Sequence, residues 1–259
     1  MRESLEDLLG NYAKGKISLE DALTSIRLLN CRAVGDIAKL DINRANRIGI
    51  PEAVLAEGKD KKSLIEIALA HLEETGSVIV TRVSEDQIKA FNKLKLPVGC
   101  LLDHNPIART IVLHKGERKS EIAKVGILAA GTADIPAAEE AKVTATHMGC
   151  KVVSEYDVGV AGIHRLFPSL EKMTGSDAIV VAAGREGTLP TVVAGLVDAP
   201  VIGLPVSTGY GFGGNGLAAL LSMLQACSVL TVVNIDAGFV AGAYAAKIAL
   251  HRANLQKQF

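Results

Sequence analysis

Apolar positions along this 259-residue chain change their habit partway through. Up to about residue 116 they form short segments of differing period. PEAVLAEG (51–58), SVIVTRV (77–83) and the run 98–116 read as strands. KKSLIEIALAHLEE (61–74) and SEDQIKAFNKL (84–94), with apolar residues three and four apart, read as helices between them. Two further helices open the chain with nearly the same words, SLEDLL at Ser4 and SLEDAL at Ser18. In each, the serine can cap free amides, and the acid three residues on lies in the first turn, where the helix dipole favours it. The polar run HKGERKSE (114–121) has linker composition and sets a domain boundary near residue 118. The reading is thus a smaller N-terminal α/β domain with two leading helices (1–118) and a second domain (119–259).

The second domain is regular. Near-continuous apolar strands at 123–130, 151–158, 177–183, 199–206 and 230–236 alternate with helices opening near Ile135, His164, Leu189, Gly216 and Phe239. Strands apolar on both faces and joined by helices predict an α/β fold, a doubly wound parallel sheet with helices on both faces. Ligands of such sheets bind where the loops leave the strands' carboxyl ends. Five loops are therefore of interest: GTADIP (131–136), DVGVAGIHR (157–165), GREGTLP (184–190), STGYGFGGNG (207–216) and NIDAGF (234–239).

Each loop carries candidate chemistry beside a plainer reading. Asp134 is placed to cap a helix, with Thr132 and the amide of Gly131 available to an anion. Asp157 closes a strand, and His164 with Arg165 opens a helix; the pair suits proton transfer and phosphate binding, or a surface role. Glu186, flanked by Arg185 and two glycines, reads plainly as a solvated turn residue. GFGGNG (211–216) fits GxGxxG, precedes a helix and is followed by Asp236 about 20 residues on, close to the dinucleotide fingerprint. It follows the fourth strand of the domain, however, and STGY separates it from that strand. A nicotinamide-dependent oxidoreductase and a non-catalytic nucleotide-binding regulator stay open as alternatives. Cys227, read as lying near the end of the helix that opens at Gly216, is either a buried structural cysteine or a nucleophile activated by a neighbouring base or by a cationic ligand.

Composition narrows the partners. The 28 basic and 28 acidic residues form no block of one sign, so a nucleic-acid or anionic-membrane footprint is missing and a small ligand is expected. Four scattered cysteines with no CxxC pair, and an acidic amphipathic start, suggest a reduced cytoplasmic protein. Residues 199–235 carry no charge, but Pro205, Asn215, Asn234 and six glycines break them into pieces too short to span a bilayer. The all-apolar helix GLAALLSMLQACS (216–228) asks for burial on every side, against the sheet and a second subunit.

From Lys124 to Leu250 the loops resemble the aminoimidazole ribonucleotide carboxylase (PurE) superfamily: GTAD echoes its serine-aspartate phosphate loop, IHR (163–165) its AHR, and Leu189-Pro190 and PVIGLPV (200–206) its LP and PVIGVPV. The superfamily's second histidine falls on Thr188 and its QMP becomes QACS, so purine carboxylation is not expected. Over nearly its full length the chain is more similar to the LarB family of pyridinium-3,5-biscarboxylic acid mononucleotide synthases, which begin assembly of the nickel-pincer nucleotide cofactor. RANRIGIPEAVLAEGK, DVGVAGIHRL, EGTLP, GYGFGGNGLAALL, QACS and VVNID carry that resemblance. Arg185 and Ala237 stand where an apolar residue and an asparagine are usual.

The resemblance implies a PurE-like second domain and, as substrates, nicotinic acid adenine dinucleotide with carbon dioxide or bicarbonate. It implies carboxylation of the ring through a transient adduct with Cys227, then cleavage of the phosphoanhydride. Glu186 would be the base, with Asp157 and His164 as alternatives. Thr132, Asp134, Arg165 and the loop Ser207, Gly209, Tyr210 and Gly211 would position phosphates and ribose. Magnesium, with no ligand set named by the residues, and a homo-octamer are implied as well.

Overall fold

A computed structural model describes residues 5–29, 32–116 and 122–256. Two helices, α1 (Leu5–Ala13) and α2 (Leu19–Leu29), pack as a hairpin. The cap expected at Ser18 is present: its Oγ accepts from the Asp21 amide at 3.0 Å and donates to the Asp21 carboxylate at 2.7 Å. Its counterpart at Ser4, Cys31, and the boundary near residue 118 lie outside the described residues.

A small ribbon, β1 (Arg32–Val34) with β2 (Ala38–Leu40), and the short α3 (Arg44–Ile48) lead into the N-terminal sheet. That sheet runs β3 (Ala53–Leu55), β4 (Ser77–Thr81), β6 (Thr110–Lys115), β5 (Cys100–Asn105) in spatial order. β3 and β4 are parallel and the other pairs antiparallel. The apolar run 98–116 is a hairpin, turned where Asn105 Oδ1 accepts from the amides of Ile107 and Ala108, both at 3.0 Å. Helix α4 (Lys61–Thr75) is started by Asp60 Oδ1, which accepts from Lys62 and Ser63, and is stopped at Gly76 in left-handed conformation. α4 and α5 (Glu85–Asn92) cover one face of this sheet through Leu64, Ile67, Leu72 and Phe91 on Val78, Val80, Ile111 and Leu113.

The second sheet is wholly parallel, in the order β11 (Thr231–Val232), β10 (Val201–Pro205), β9 (Ala178–Ala183), β7 (Ala123–Ala129), β8 (Cys150–Glu155). This is the predicted doubly wound sheet. α6 (Ile135–His147) and α10 (Gly238–Gln256) cover one face. Their contact is built from small residues: Ala137, Ala138, Ala141 and Ala145 meet Ala241, Ala245, Ala246 and Ala249. A side chain at Gly242 would collide with the Ala141 carbonyl, so alanine and glycine let the two helices approach as one slab. α7 (Leu166–Met173), α8 (Thr188–Ala194) and α9 (Leu217–Leu224) cover the other face through Leu166, Met173, Leu189, Val193, Ala219 and Met223.

The expected reach of the last of these fails. α9 stops at Leu224, so Cys227 lies beyond the helix, in a bend, and is exposed instead of buried. Within one chain α9 is buried only along the stripe of Ala219 and Met223; Leu217, Leu221 and Leu224 are each at least half exposed, at 51, 50 and 61 %. Among the described residues no helix is long and apolar enough to cross a membrane.

Candidate active site

The strand order reverses direction between β7 and β9, the place where ligands of such sheets bind, and the loops leaving those two strands meet at the carboxyl edge of the sheet. Asp134 lies between them. The predicted helix cap is not made: residues 132–134 form a short 3-10 turn, and the carboxylate turns back instead of capping α6. Its Oδ2 accepts from the Gly131 amide at 2.9 Å and its Oδ1 from Thr208 Oγ1 at 2.9 Å, while the Gly184 amide also donates to it. One side chain thereby ties together the loops after β7, β9 and β10. Burial pushes its carboxyl pKa up and the nearby charge of Glu186 adds to that, while the three hydrogen bonds oppose it.

The approach is close enough to dictate glycine. A Cβ on Gly184 would collide with the Thr208 hydroxyl and stand 2.7 Å from Asp134 Oδ1, and one on Gly209 would strike the Gly184 carbonyl. A Cβ on Gly159 would come within 2.7 Å of the Ala130 carbonyl, and the Val158 amide donates to Ala129 at 3.1 Å, so the loop after β8 joins the cluster. There Asp157 and Arg165 form an ion pair, and His164 is exposed on the same turn. Glu186 and Arg185 are exposed. The Arg185 guanidinium lies over the Tyr210 ring, 4.4 Å from its centroid, and donates to the Tyr210 hydroxyl. The Ser207 amide donates to Asp236 Oδ1 at 2.9 Å, fastening the fifth loop to the fourth.

Backbone strain collects at the same edge. Asp157, Asn215 and Asp236 have φ of 58°, 57° and 54°, a left-handed conformation that non-glycine residues seldom adopt. Arg82 has φ 55° and comes from the N-terminal domain, where it follows β4. It pairs with Glu57 at 3.3 Å and donates to the Asp236 carbonyl at 3.0 Å. The PEAVLAEGK loop that carries Glu57 is held by Gln87, whose amide donates to the carbonyls of Ala56 and Lys59 at 3.0 and 2.8 Å.

The structure therefore gathers Thr132, Asp134, Asp157, His164, Arg165, Glu186, Ser207, Gly209, Tyr210 and Gly211 in loops at one edge of the sheet. Cys227 it does not bring there. α9 runs away from that edge, and its eight residues span about 12 Å. Ser228, next in sequence to Cys227, donates to the Thr191 carbonyl within α8 at 2.9 Å, below the loops.

Arg82, Thr208 and Glu140 went unrecognised in the sequence. Glu140 is buried on α6 and accepts from the amides of Phe239 and Gly238 at the start of α10. Burial raises its pKa to about 7 against the lowering influence of Arg82. Nothing local marks Arg82 or Glu140, since the Asp236 carbonyl that Arg82 meets lies 154 residues on and the Gly238 and Phe239 amides that Glu140 meets lie in another helix. Thr208 sits inside a loop already singled out, and a hydroxyl facing a glycine is its only signal.

A cavity of about 540 Å³ lies elsewhere, between the outer face of β5 and β6 and α6, lined by Asp103, Asn105, Thr110, His114, Glu139 and Lys142 among others. It opens along the seam of the two domains, whereas backbone strain and interlocked polar groups coincide at the carboxyl-edge loops. Among the described residues no cluster of three or more His, Cys, Asp or Glu stands ready for a metal ion.

Residues 124–259 match the AIR carboxylase family, just over half of the chain. The chain belongs to that family. Residues 32–115 match the LarB/PurE-like N-terminal domain, and the two matches in this order place the chain in the LarB branch of the superfamily. An uncharacterized protein of Methanocaldococcus jannaschii is 43% identical over 258 residues, covering 96% of this chain and 98% of its own. An N5-carboxyaminoimidazole ribonucleotide mutase of the same organism is 37% identical over 110 residues, covering 40% of this chain and 68% of its own. One from Pyrococcus horikoshii is 29% identical over 123 residues, 45% of this chain and 66% of its own. Membership of the family supports an enzyme of carboxylase-related chemistry. The glycine-rich loop follows the fourth strand of its sheet and turns through 209–216 before α9 begins, unlike the immediate strand-to-helix turn of a dinucleotide fingerprint.

Proposed function

We propose that this chain carboxylates the pyridinium ring of nicotinic acid adenine dinucleotide and cleaves its phosphoanhydride, giving pyridinium-3,5-biscarboxylic acid mononucleotide and AMP. The observation that carries the reading is a solvent-accessible thiol, Cys227, in the bend beyond an apolar helix of a chain with LarB-type domains. A pyridinium carbon is electron-poor and does not attack carbon dioxide. Addition of the Cys227 thiolate para to the ring nitrogen gives a dihydropyridine, whose enamine carbon is the free meta position. That carbon attacks carbon dioxide; a base takes its proton, and the carbon–sulfur bond breaks with its electron pair returning to sulfur, which restores the aromatic ring. Glu186 is the proposed base, exposed in the loop after β9, with Asp157 and His164 on the neighbouring turn as alternatives. Water then cleaves the anhydride. Magnesium enters with the substrate's diphosphate, and no step is routed through a protein-held ion.

The thiol and the loops of one chain stand apart, so the reading requires a second copy to supply Cys227 to them. The exposed stripe Leu217, Leu221 and Leu224 offers an apolar surface for such a contact. A homo-octamer is the proposed assembly and the cytoplasm the proposed compartment, where free cysteines persist.

Incubation with the dinucleotide, bicarbonate and magnesium, followed by mass spectrometry, tests the reading. Release of AMP together with a product one carboxylate heavier than nicotinate mononucleotide is the expected result. An unchanged dinucleotide, or a product formed only with a hydride donor, overturns it.

A further inference from the structure

Three arginines reach the carboxyl edge of the parallel sheet, and they are not equivalent. Arg82 is paired with Glu57 and donates to Asp236; Arg165 is paired with Asp157. Arg185 has only a neutral companion. Its guanidinium stacks on Tyr210 and donates to the Tyr210 hydroxyl, and among the described residues no carboxylate pairs with it. A guanidinium carries five N–H donors in a planar fork, and stacking on an aromatic face occupies the plane while leaving the edge available. One donor is spent on Tyr210, so the cation keeps the capacity for a two-point contact with a phosphate or carboxylate.

The position is braced from below. Gly209 packs against the Gly184 carbonyl, and a Cβ there would lie 3.7 Å from the Arg185 Cα, so the loops 184–187 and 207–216 are in direct backbone contact. Glu186, adjacent in sequence, places a negative charge beside this positive one. A ligand with a cationic ring and anionic oxygens matches the pair in sign.

We propose that Arg185 is the anion receptor and specificity-determining residue of the site, held by Tyr210 so that its fork meets an anionic oxygen pair of the substrate. This rests on the functional reading above for the identity of the substrate and on the loop geometry for the role. The oxygen pair belongs either to the diphosphate or to the ring carboxylate, and both are tested.

Isothermal titration of wild type, Arg185→Met, Arg185→Lys and Tyr210→Phe is read with three probes, inorganic diphosphate and the acid and amide forms of the dinucleotide, at low and high salt. Both side chains are exposed at the surface, and thermal unfolding of each variant checks that the fold is retained. Arg185→Met is expected to weaken dinucleotide binding roughly 10- to 100-fold, the scale of a lost charge-assisted contact, and to flatten its salt dependence. Arg185→Lys restores part of the loss, because charge returns without the fork. Tyr210→Phe keeps the stack and costs a few-fold. An equal loss for acid and amide forms, with inorganic diphosphate also lost, assigns the diphosphate; a loss confined to the acid form assigns the carboxylate. Wild-type affinity of Arg185→Met for every probe, or failure of wild type to bind any of them, overturns the proposal. Binding is read without turnover, so a wild-type protein that binds the dinucleotide and leaves it uncarboxylated overturns the functional reading alone.

Discussion

The carboxyl-edge loops and the outer side of α9 are opposites in how far one chain completes them. Around Asp134 the donors and acceptors are matched within the chain: three donors converge on one buried carboxylate, and glycines remove the side chains that would keep the loops apart. On the α9 side the Cys227 thiol and Val229, which is 94% exposed, face outward, and Leu217, Leu221 and Leu224 keep half or more of their surface open. A buried polar group left unmatched costs folding energy, so the first region had to be solved inside the monomer. Apolar surface can be left for a later partner at smaller cost. The loops are thus tied to one another within the chain, whereas the α9 side keeps its apolar surface and its thiol open, and on the proposed reading the second side supplies the reagent to the first.

Four experiments press on that contrast. The largest effect is expected at the reagent: Cys227→Ala should lower carboxylation by at least about a thousandfold while the unfolding midpoint stays unchanged, because an exposed thiol contributes little packing. Full activity in that variant would remove sulfur from the chemistry. At the locked side, Asp134→Ala strands the Gly131 and Gly184 amides and the Thr208 hydroxyl. It should cost about 3–4 kcal/mol in denaturant unfolding, and a neutral result would mean the loops hold without it.

At the open side, Leu221→Glu should weaken self-association by more than about a hundredfold, on the order of 3 kcal/mol for a charge buried in an apolar contact, while monomer stability holds. Sedimentation at several concentrations reads it, and an assembly of unaltered mass would place the interface on another face. The smallest effect is a pH dependence. Glu140 titrates near 7 when folded against a usual 4.5, so its contribution to stability is complete below about pH 4.5 and is lost as the pH rises through about 7. Glu140→Gln keeps an acceptor for the α10 amides without a charge. It should match wild type near pH 4 and exceed it at pH 8 by roughly 2–3 kcal/mol, a gap read by unfolding at the two pH values.

Much of this architecture was readable from local pattern. The five parallel strands and their helices follow from apolar runs too continuous for a half-exposed sheet, and the loops 131–136, 157–165, 184–190 and 207–216 follow from the same rule. The reading went astray where the decisive partner is distant. Asp134 looks like a helix cap because a carboxylate before an apolar helix usually is one; Thr208 and Gly184 draw it away. The helix expected to continue through QACS stops at Leu224, and Cys227 lies at the surface, which removes the buried structural alternative. Arg82 and Glu140 carry no local mark, since each acts on a segment supplied by another part of the chain.

The order of strands and helices, the placing of glycines and the domain type were determined by the sequence alone, because period, turn chemistry and backbone sterics act within a few residues. Which side chains meet was decided only by tertiary structure. Asp134 became a hub, Arg185 has no carboxylate partner among the described residues while Arg82 and Arg165 have one each, and Cys227 came to lie away from the loops. Burial and hydrogen bonding depend on what the folded chain brings alongside, and that cannot be read from neighbours in sequence.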